Sequence, residues 1–194
     1  MGIIAYGDER VGDRLLSSDQ IAQRVKDLGR QIGNDYRGRE LVLVGVLTGS
    51  VVFLSDLIRS IPDNLEVDFV ATASYGAATH SSGVVRILKD LSHPIQGKDA
   101  LIVEDIVDTG LTMAYLMDRI SSHQPASLAA CVLLNKSGRR EVAVDIKYVG
   151  FEIPDQFVVG YGLDYAGRYR NLPSIHVYNM EESSGIERSR PVEG

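Results

Sequence analysis

The chain has one cysteine, no long apolar run and a deficit of basic residues, and each feature excludes a class of protein. Cys131 stands alone in an apolar run, which excludes an internal disulfide framework and favours a packed thiol in a reducing compartment. No run reaches membrane-spanning length and no basic, apolar leader begins the chain, so we expect a cytoplasmic protein with no membrane partner. The net charge of −6 argues against a nucleic-acid partner, whose phosphates require clustered lysine and arginine.

Common nucleotide and metal motifs are also missing. Neither Gly-x-Gly-x-x-Gly nor Gly-x-x-x-x-Gly-Lys-Ser/Thr occurs, which removes the usual dinucleotide and nucleoside-triphosphate interpretations. The four histidines, at positions 80, 93, 123 and 176, lack ligand spacing, so we expect no transition-metal site. At 194 residues, the chain has the length of one domain, or of one core with a small appendage.

The apolar pattern predicts strands that alternate with helices. A helix is predicted from Ser17 or Ser18 to about Tyr36, and a second one covers residues 51–60. Residues 41–47 are continuously apolar, as is typical of a parallel strand buried on both faces. Residues 1–16 show no clear period. Further strands are predicted over 65–74, 84–89, 100–104, 127–134, 147–150, 157–160 and 175–178, with a helix over 111–122. This pattern predicts an α/β sheet with its ligand site beyond the carboxyl ends of the strands.

Residues 101–113 are the most informative segment. An apolar strand is predicted to end at the carboxylates Glu104 and Asp105, and a turn that begins at Asp108 leads into a helix near Leu111. Loop amides, two threonine hydroxyls and a helix N-terminus favour one bound phosphate group. The neighbouring carboxylates favour hydroxyls or Mg²⁺, so the segment indicates a phosphorylated sugar bound with that ion. Helix capping by Asp or Thr is the alternative, but one residue suffices for a cap.

The run from Val103 to Thr112 resembles the phosphoribosyl-pyrophosphate motif of type I phosphoribosyltransferases. Residues 147–170 resemble the hypoxanthine (guanine) branch of that family, and the similarity extends from about Leu41 to Val177. The resemblance implies a Rossmann-like core with a central, mainly parallel sheet flanked by helices. We expect a single domain over 1–180, with its core at about 38–150 and a small hood formed by about 1–15 and 151–180. Residues 181–194 are polar and charged, and we expect a disordered tail there.

The resemblance also implies a reaction. The 5-phosphoribosyl group would pass from phosphoribosyl pyrophosphate to N9 of hypoxanthine or guanine, giving IMP or GMP and pyrophosphate in purine salvage. Mg²⁺ would be the cofactor, and small molecules would be the substrates. A homodimer or homotetramer is expected. Two alternatives stay open: a transferase that prefers xanthine or guanine, and a non-catalytic nucleotide sensor that binds RNA.

Each part of the substrate is matched by a set of residues in the family motif. By this match, the 5-phosphoribosyl group would be bound by Glu104, Asp105, Asp108, Thr109, Gly110, Leu111 and Thr112. Pyrophosphate would be bound by Thr48, Gly49, Ser74, Tyr75 and Arg170. The purine would be bound by Lys136, Phe157, Val158 and Asp164, and the metal by Glu104, Asp105 and Asp164.

Four positions carry more specific expectations by the same resemblance. Asp108 would be the general base that exchanges a proton with the purine, and Lys136 would read the 6-oxo group and so reject adenine. The Leu47–Thr48 peptide bond would be cis. Thr48 and Leu111 both stand where many relatives have lysine, which removes positive charge from the pyrophosphate and phosphate turns. Ser74 and Tyr75 resemble the start of the family's mobile lid, which would cover residues 75–83, although a floppy surface loop has the same composition.

Overall fold

The structure, a computed structural model, describes residues 8–74 and 85–180. The helices in these ranges are α1 Ser18–Asp35, α2 Val51–Ile58 and α3 Leu111–Ser121. The strands are β1 Val11–Leu16, β2 Leu41–Leu47, β3 Glu66–Ser74, β4 Val85–Lys89, β5 Asp99–Val107, β6 Ser127–Asn135, β7 Tyr148–Glu152, β8 Val158–Val159 and β9 Ile175–Tyr178. No helix in the described part of the chain is long and apolar enough to cross a membrane.

The central sheet has six strands in the order β4-β3-β2-β5-β6-β7. Every neighbouring pair is parallel except β3 and β4, which are antiparallel. The inner strands β2 and β5 are almost entirely buried, as is typical of parallel strands in the middle of a sheet, although β5 also contains buried acidic residues. The predicted α/β fold with a mainly parallel sheet is therefore confirmed.

Helix α1 follows directly from its sequence pattern. Ser17 is the N-cap: its hydroxyl accepts a hydrogen bond from the Gln20 amide, and the Gln20 side chain accepts one from the Ser17 amide. The apolar stripe of the sequence is buried throughout, and it consists of Ile21, Val25, Leu28, Ile32 and Tyr36. These side chains form the core between α1 and the sheet together with residues of α2 and β2.

The end of β5 differs from the prediction. The strand does not stop at Glu104 and Asp105 but continues to Val107. Its pairing with β2 ends at Val103, whereas its pairing with β6 continues as far as Val107 opposite Asn135. The two acidic residues therefore lie where β2 and β5 separate, and an opening forms between these strands.

A second sheet of three strands has the order β1-β9-β8. Strand β1 was missed in the sequence because its exposed and half-buried residues do not alternate, and its register against β9 is irregular. All three strands come from the regions predicted to form the hood. The division of the chain into core and hood stays a prediction. The predicted lid at 75–83 and the predicted tail at 181–194 lie outside the described residues.

Candidate active site

A pocket of about 340 Å³ opens between the carboxyl ends of β2 and β5. Ten residues singled out in the sequence line it: Thr48, Gly49, Glu104, Asp105, Asp108, Thr109, Gly110, Thr112, Asp164 and Arg170. These residues come from three separate stretches of the chain, which the fold brings to one edge of the sheet. The position agrees with the rule that open α/β sheets bind ligands beyond their strand ends.

Glu104 and Asp105 form the acidic wall of this pocket. Both are buried, and no lysine or arginine forms an ion pair with either of them among the described residues. Burial, followed by the negative charge of Asp105, raises the pKa of Glu104 well above its ordinary value. Burial likewise raises the pKa of Asp105. A pair of buried carboxylates of this kind is stabilised by a cation or by hydroxyl donors, and the wall is thus a site for either.

Two glycines pack the loops of the site against this wall. A Cβ at Gly49 would lie 1.7 Å from Asp105 Oδ2, so only glycine fits between the turn at 47–50 and the carboxylate. A Cβ at Gly162 would lie 2.2 Å from the carbonyl oxygen of Gly49. The segment that contains Gly162 therefore rests on the turn, and the turn rests on the acidic wall.

The turn at 47–50 follows β2 and precedes α2. Its Leu47–Thr48 peptide bond is cis, as the resemblance implied. The Ser50 hydroxyl is buried and donates a hydrogen bond to the Val46 carbonyl over 2.7 Å. Thr48 and Gly49 are consequently presented at the pocket surface with a fixed backbone course.

The turn at 108–110 leaves the N-terminus of α3 without a carboxylate cap. Gly110 is the N-cap, with a left-handed φ of 89° and no side-chain hydrogen bond at the cap. The Thr109 carbonyl accepts hydrogen bonds from the amides of Glu141 and Val142 over 2.9 and 3.1 Å, which anchors the turn from behind. Capping of α3 by Asp, one form of the alternative interpretation, is therefore wrong, whereas the Thr109 hydroxyl accepts a long hydrogen bond of 3.4 Å from the Leu111 amide. The uncapped first turn has the geometry that suits a phosphate group.

Asp164 and Arg170 close the pocket from the opposite side. Arg170 Nη2 lies 2.7 Å from Asp164 Oδ1, and Arg170 Nη1 donates to the carbonyl of Gly162 over 2.6 Å. The second Asp164 oxygen accepts from the Gly167 amide over 2.8 Å. The guanidinium is thus held at the pocket surface, where it is the one arginine among the described lining residues.

Asp108 belongs to a rim of alternating charges at the mouth of the pocket, formed by Asp108, Lys136, Arg139 and Asp155. Lys136 Nζ lies 4.0 Å from Asp108 Oδ2 and 3.8 Å from Asp155 Oδ1. Arg139 Nη1 lies 3.7 and 3.5 Å from the same two oxygens. Within the described ranges Asp108 Oδ1 is buried without a hydrogen-bond partner, so it is available to accept a proton or a hydrogen bond from a ligand.

The other purine candidates lie beyond the pocket lining. Lys136 is buried at the end of β6, and its amide donates to the Val107 carbonyl over 2.9 Å. Phe157 is 36 % exposed, and its ring meets Tyr165 edge to face at a centroid distance of 5.8 Å. Val158 is buried in β8. Lys136 belongs to the rim, and neither Phe157 nor Val158 is among the described residues that line the pocket.

Three further predicted site residues are not among the described residues that line the pocket. Leu111 begins α3, and its amide lies 3.4 Å from the Thr109 hydroxyl, but its side chain is not among the lining residues. Ser74 ends β3, and Tyr75 lies outside the described residues. Sequence analysis missed Thr72 of β3, which lines the pocket, and Arg139 of the rim. The Gly-Tyr-Gly sequence at 160–162 is a local signal of unusual backbone geometry, and the sequence analysis assigned no role to it.

The residues present suit Mg²⁺ better than a soft metal. The described residues contain no cluster of three or more His, Cys, Asp or Glu side chains that could hold an ion alone. Mg²⁺ characteristically binds through one or two carboxylates, with substrate oxygens and water completing the shell. Glu104 and Asp105 on one side and Asp164 on the other offer only such oxygens.

The family model described as "Phosphoribosyl transferase domain" matches residues 11–166 of the chain. Similar curated proteins include the hypoxanthine-guanine phosphoribosyltransferase of Mycobacterium avium, which is 53 % identical over 167 residues, with 83 % of this chain and 82 % of that protein covered. The protein of the same name from Dictyostelium discoideum is 52 % identical over 165 residues, covering 83 % and 92 %.

A solved structure gives the same indication. The crystal structure of a hypoxanthine phosphoribosyltransferase from Staphylococcus aureus superposes with a TM-score of 0.86 at 45 % identity. The match covers 91 % of this chain and 96 % of that one. Fold and sequence therefore agree along most of the chain.

Proposed function

Because the chain belongs to the phosphoribosyl transferase domain family, we propose that it moves a 5-phosphoribosyl group from phosphoribosyl pyrophosphate to N9 of hypoxanthine or guanine. The products would be IMP or GMP and pyrophosphate, and the physiological role would be purine salvage. The relatives named above carry this activity in their names at about half identity over most of both chains.

One observation supports the proposal most directly: a single pocket carries the acidic wall and the uncapped N-terminus of α3. Carboxylates accept hydrogen bonds from vicinal ribose hydroxyls, and backbone amides at a helix N-terminus bind phosphate. A ribose 5-phosphate has these two groups at opposite ends, so it matches both sides of the pocket.

The reaction requires stabilisation of opposite charges. As the bond from C1 to pyrophosphate breaks, positive charge builds on the sugar ring and negative charge on the leaving group. Glu104 and Asp105 would stabilise the first, and Arg170 with the amides of the turn at 47–50 would stabilise the second. The chain has no lysine at position 48, so the backbone amides carry more of this interaction here.

Asp108 and Lys136 would act on the base. As general base, Asp108 takes up the purine proton when the new bond to the sugar forms, and its unpartnered Oδ1 is suited to that role within the described structure. Lys136 has only donors, so it would bond a 6-oxo group and reject the 6-amino group of adenine. Phe157 would stack on the ring, and Val158 would meet the base edge with its backbone.

Mg²⁺ would be the cofactor, held by Glu104, Asp105 and Asp164 together with substrate oxygens. When bound it would neutralise charge on the pyrophosphate and on the acidic wall. This assignment agrees with the raised pKa values of the wall, since two buried carboxylates that form no ion pair within the described part of the chain favour an external cation.

The test is a transfer assay with phosphoribosyl pyrophosphate and Mg²⁺, in which hypoxanthine, guanine, xanthine and adenine compete. We expect nucleotide from hypoxanthine or guanine, none from adenine, and no product when the metal is chelated. If none of the three 6-oxopurines yields a nucleotide, the proposal is wrong. A higher kcat/KM for xanthine than for hypoxanthine would select the xanthine-preferring alternative. The cytoplasmic location and the homodimer or homotetramer stay predictions, and light scattering would measure the second.

A further inference from the structure

The segment at 160–170 must be held over the turn at 47–50 if Asp164 and Arg170 are to serve the pocket. Its beginning has an unusual backbone, because Gly160, Tyr161 and Gly162 have φ values of 104°, 50° and 99°. Tyrosine rarely adopts the left-handed region, so a side-chain interaction must favour this conformation.

Tyr161 makes such an interaction with α2. The side chain is buried, and its hydroxyl donates a hydrogen bond to Asp56 Oδ2 over 2.6 Å. Asp56 also pairs with Arg59, the residue that follows the last residue of α2. Since α2 begins at Val51, directly after the turn at 47–50, this hydrogen bond joins the segment to the element that continues from the turn.

Gly162, the residue after Tyr161, connects this hydrogen bond to the pocket. The Gly162 amide donates to the Arg170 carbonyl over 3.0 Å, and the Gly162 carbonyl accepts from Arg170 Nη1 over 2.6 Å. Arg170 in turn pairs with Asp164. A shift of Tyr161 would therefore be passed through one residue to both charged groups at the pocket surface.

We propose that Tyr161 and Asp56 are positioning residues for pyrophosphate binding. Their hydrogen bond seats Gly162 on Gly49 and so places Arg170 and Asp164 opposite the acidic wall. Neither residue is among the described residues that line the pocket. The inference rests on the proposed function, because it assigns pyrophosphate to this side of the pocket.

The chain contains a matched control. The Tyr148 hydroxyl donates to Asp35 Oδ2 over 2.7 Å, and this tyrosine is also buried. Burial is the first cause that raises the pKa of each of the two tyrosines, and a hydrogen bond to aspartate is the second. The Tyr148 pair joins β7 to the end of α1, away from the pocket-lining residues.

The experiment compares Tyr161→Phe with Tyr148→Phe. The affinity of each variant for pyrophosphate with Mg²⁺ is measured by titration calorimetry, together with its melting temperature. Both should lose similar stability, because each loses one buried hydrogen bond of the same type. Only Tyr161→Phe should bind pyrophosphate more weakly, by about tenfold, the effect of one well-placed hydrogen bond. Equal affinities in the two variants would overturn the inference.

Asp56→Ala, which removes the acceptor of this hydrogen bond, provides a second measurement. It should weaken pyrophosphate binding to the extent seen in Tyr161→Phe, and the double variant should be no weaker than either single one, since one interaction is removed in all three. Additive losses would contradict a shared role. In the transfer assay, Tyr161→Phe should raise the KM for phosphoribosyl pyrophosphate and leave the KM for hypoxanthine unchanged.

The calorimetric readout separates this inference from the proposed function. A wild-type protein that binds pyrophosphate but makes no nucleotide would contradict the proposed transfer, and the Tyr161 comparison would still decide the positioning role. A wild-type protein that binds no pyrophosphate would overturn both.

Discussion

The acidic wall and the rim handle charge in opposite ways, although they lie at one pocket. Glu104 and Asp105 are buried side by side with like charge and raised pKa values. Asp108, Lys136, Arg139 and Asp155 alternate in sign, at separations of 3.5 to 4.0 Å. The charges of the rim are paired with one another, whereas the wall forms no ion pair among the described residues and gains from a ligand that brings a cation or hydroxyl donors.

This difference indicates which region binds and which region discriminates. An unbalanced wall gains stability from a charged ligand, and so it contributes binding energy for the sugar and the metal. A rim whose charges are already paired gains little binding energy from a charged ligand. A rim residue can instead replace its present partner by a group of the ligand, and this suits proton transfer and the recognition of a neutral purine.

The largest expected effect falls on the rim. Asp108→Asn should lower kcat by about 10²–10⁴-fold, because the amide cannot accept a proton from the purine. Affinity for pyrophosphate, which we assign to Arg170 and the turn at 47–50, should change little. Pre-steady-state kinetics with hypoxanthine would measure the chemical step. An unchanged rate would remove Asp108 from the role of base, and the rim would then be only structural.

The next effect concerns the glycine that packs the loops on the wall. Gly162→Ala brings a Cβ within 2.2 Å of a backbone oxygen, so the segment must move. We expect kcat/KM for phosphoribosyl pyrophosphate to fall about 100-fold, since small displacements of binding groups have effects of this size. Gly97→Ala is the matched control: its φ of 77° is also left-handed, but nothing lies within 4 Å of the added Cβ. Similar kinetics in both variants would contradict the packing account.

A smaller effect is expected where Phe157 meets the base. Phe157→Ala should raise the KM for hypoxanthine by about 2- to 12-fold, which corresponds to an aromatic contact of about 0.5–1.5 kcal/mol. The KM for phosphoribosyl pyrophosphate should stay constant. Steady-state kinetics with each substrate varied separately would show the split. If the KM for phosphoribosyl pyrophosphate changed instead, Phe157 would contribute to the binding of that substrate and not to the binding of the purine.

The smallest effect is a change in stability with pH. A carboxyl whose pKa is raised in the folded state stabilises the protein below its unfolded value of 4.5, and this contribution is lost as the pH rises through the folded value. At neutral pH, Glu104→Gln should therefore raise the melting temperature of the ligand-free protein. The rise should be about 2–4 °C for each 1 kcal/mol gained in the free energy of unfolding. Melting curves from about pH 5 to about pH 8 would check the sign. A variant that melts lower than the wild type throughout would show that the wall is already balanced.

The sequence predicted the elements whose signals are local. The stripe from Ile21 to Tyr36 indicated α1, and the run around Glu104 indicated β5, the phosphate turn and α3. The end of β5 was misplaced because it depends on how far β6 continues to pair. Strand β1 had no alternation to find.

The contacts between residues on different sides of the pocket could not be predicted from local sequence patterns. Tyr161 and Asp56 are more than a hundred positions apart, and the contact between Gly162 and Gly49 is set by the tertiary packing of two loops. A glycine pattern reports an unusual backbone but does not name its neighbour. The family resemblance supplied roles for single residues, whereas the structure shows which of these residues touch.

The close fit of Gly49 against Asp105 has a consequence for how two ligands would influence each other. Because the turn and the carboxylate are in direct contact, a group that shifts one of them changes the surroundings of the other. Under the proposed function, the metal at the acidic wall and the pyrophosphate at the turn would therefore change each other's affinity, and thermodynamic reciprocity would make the two factors equal.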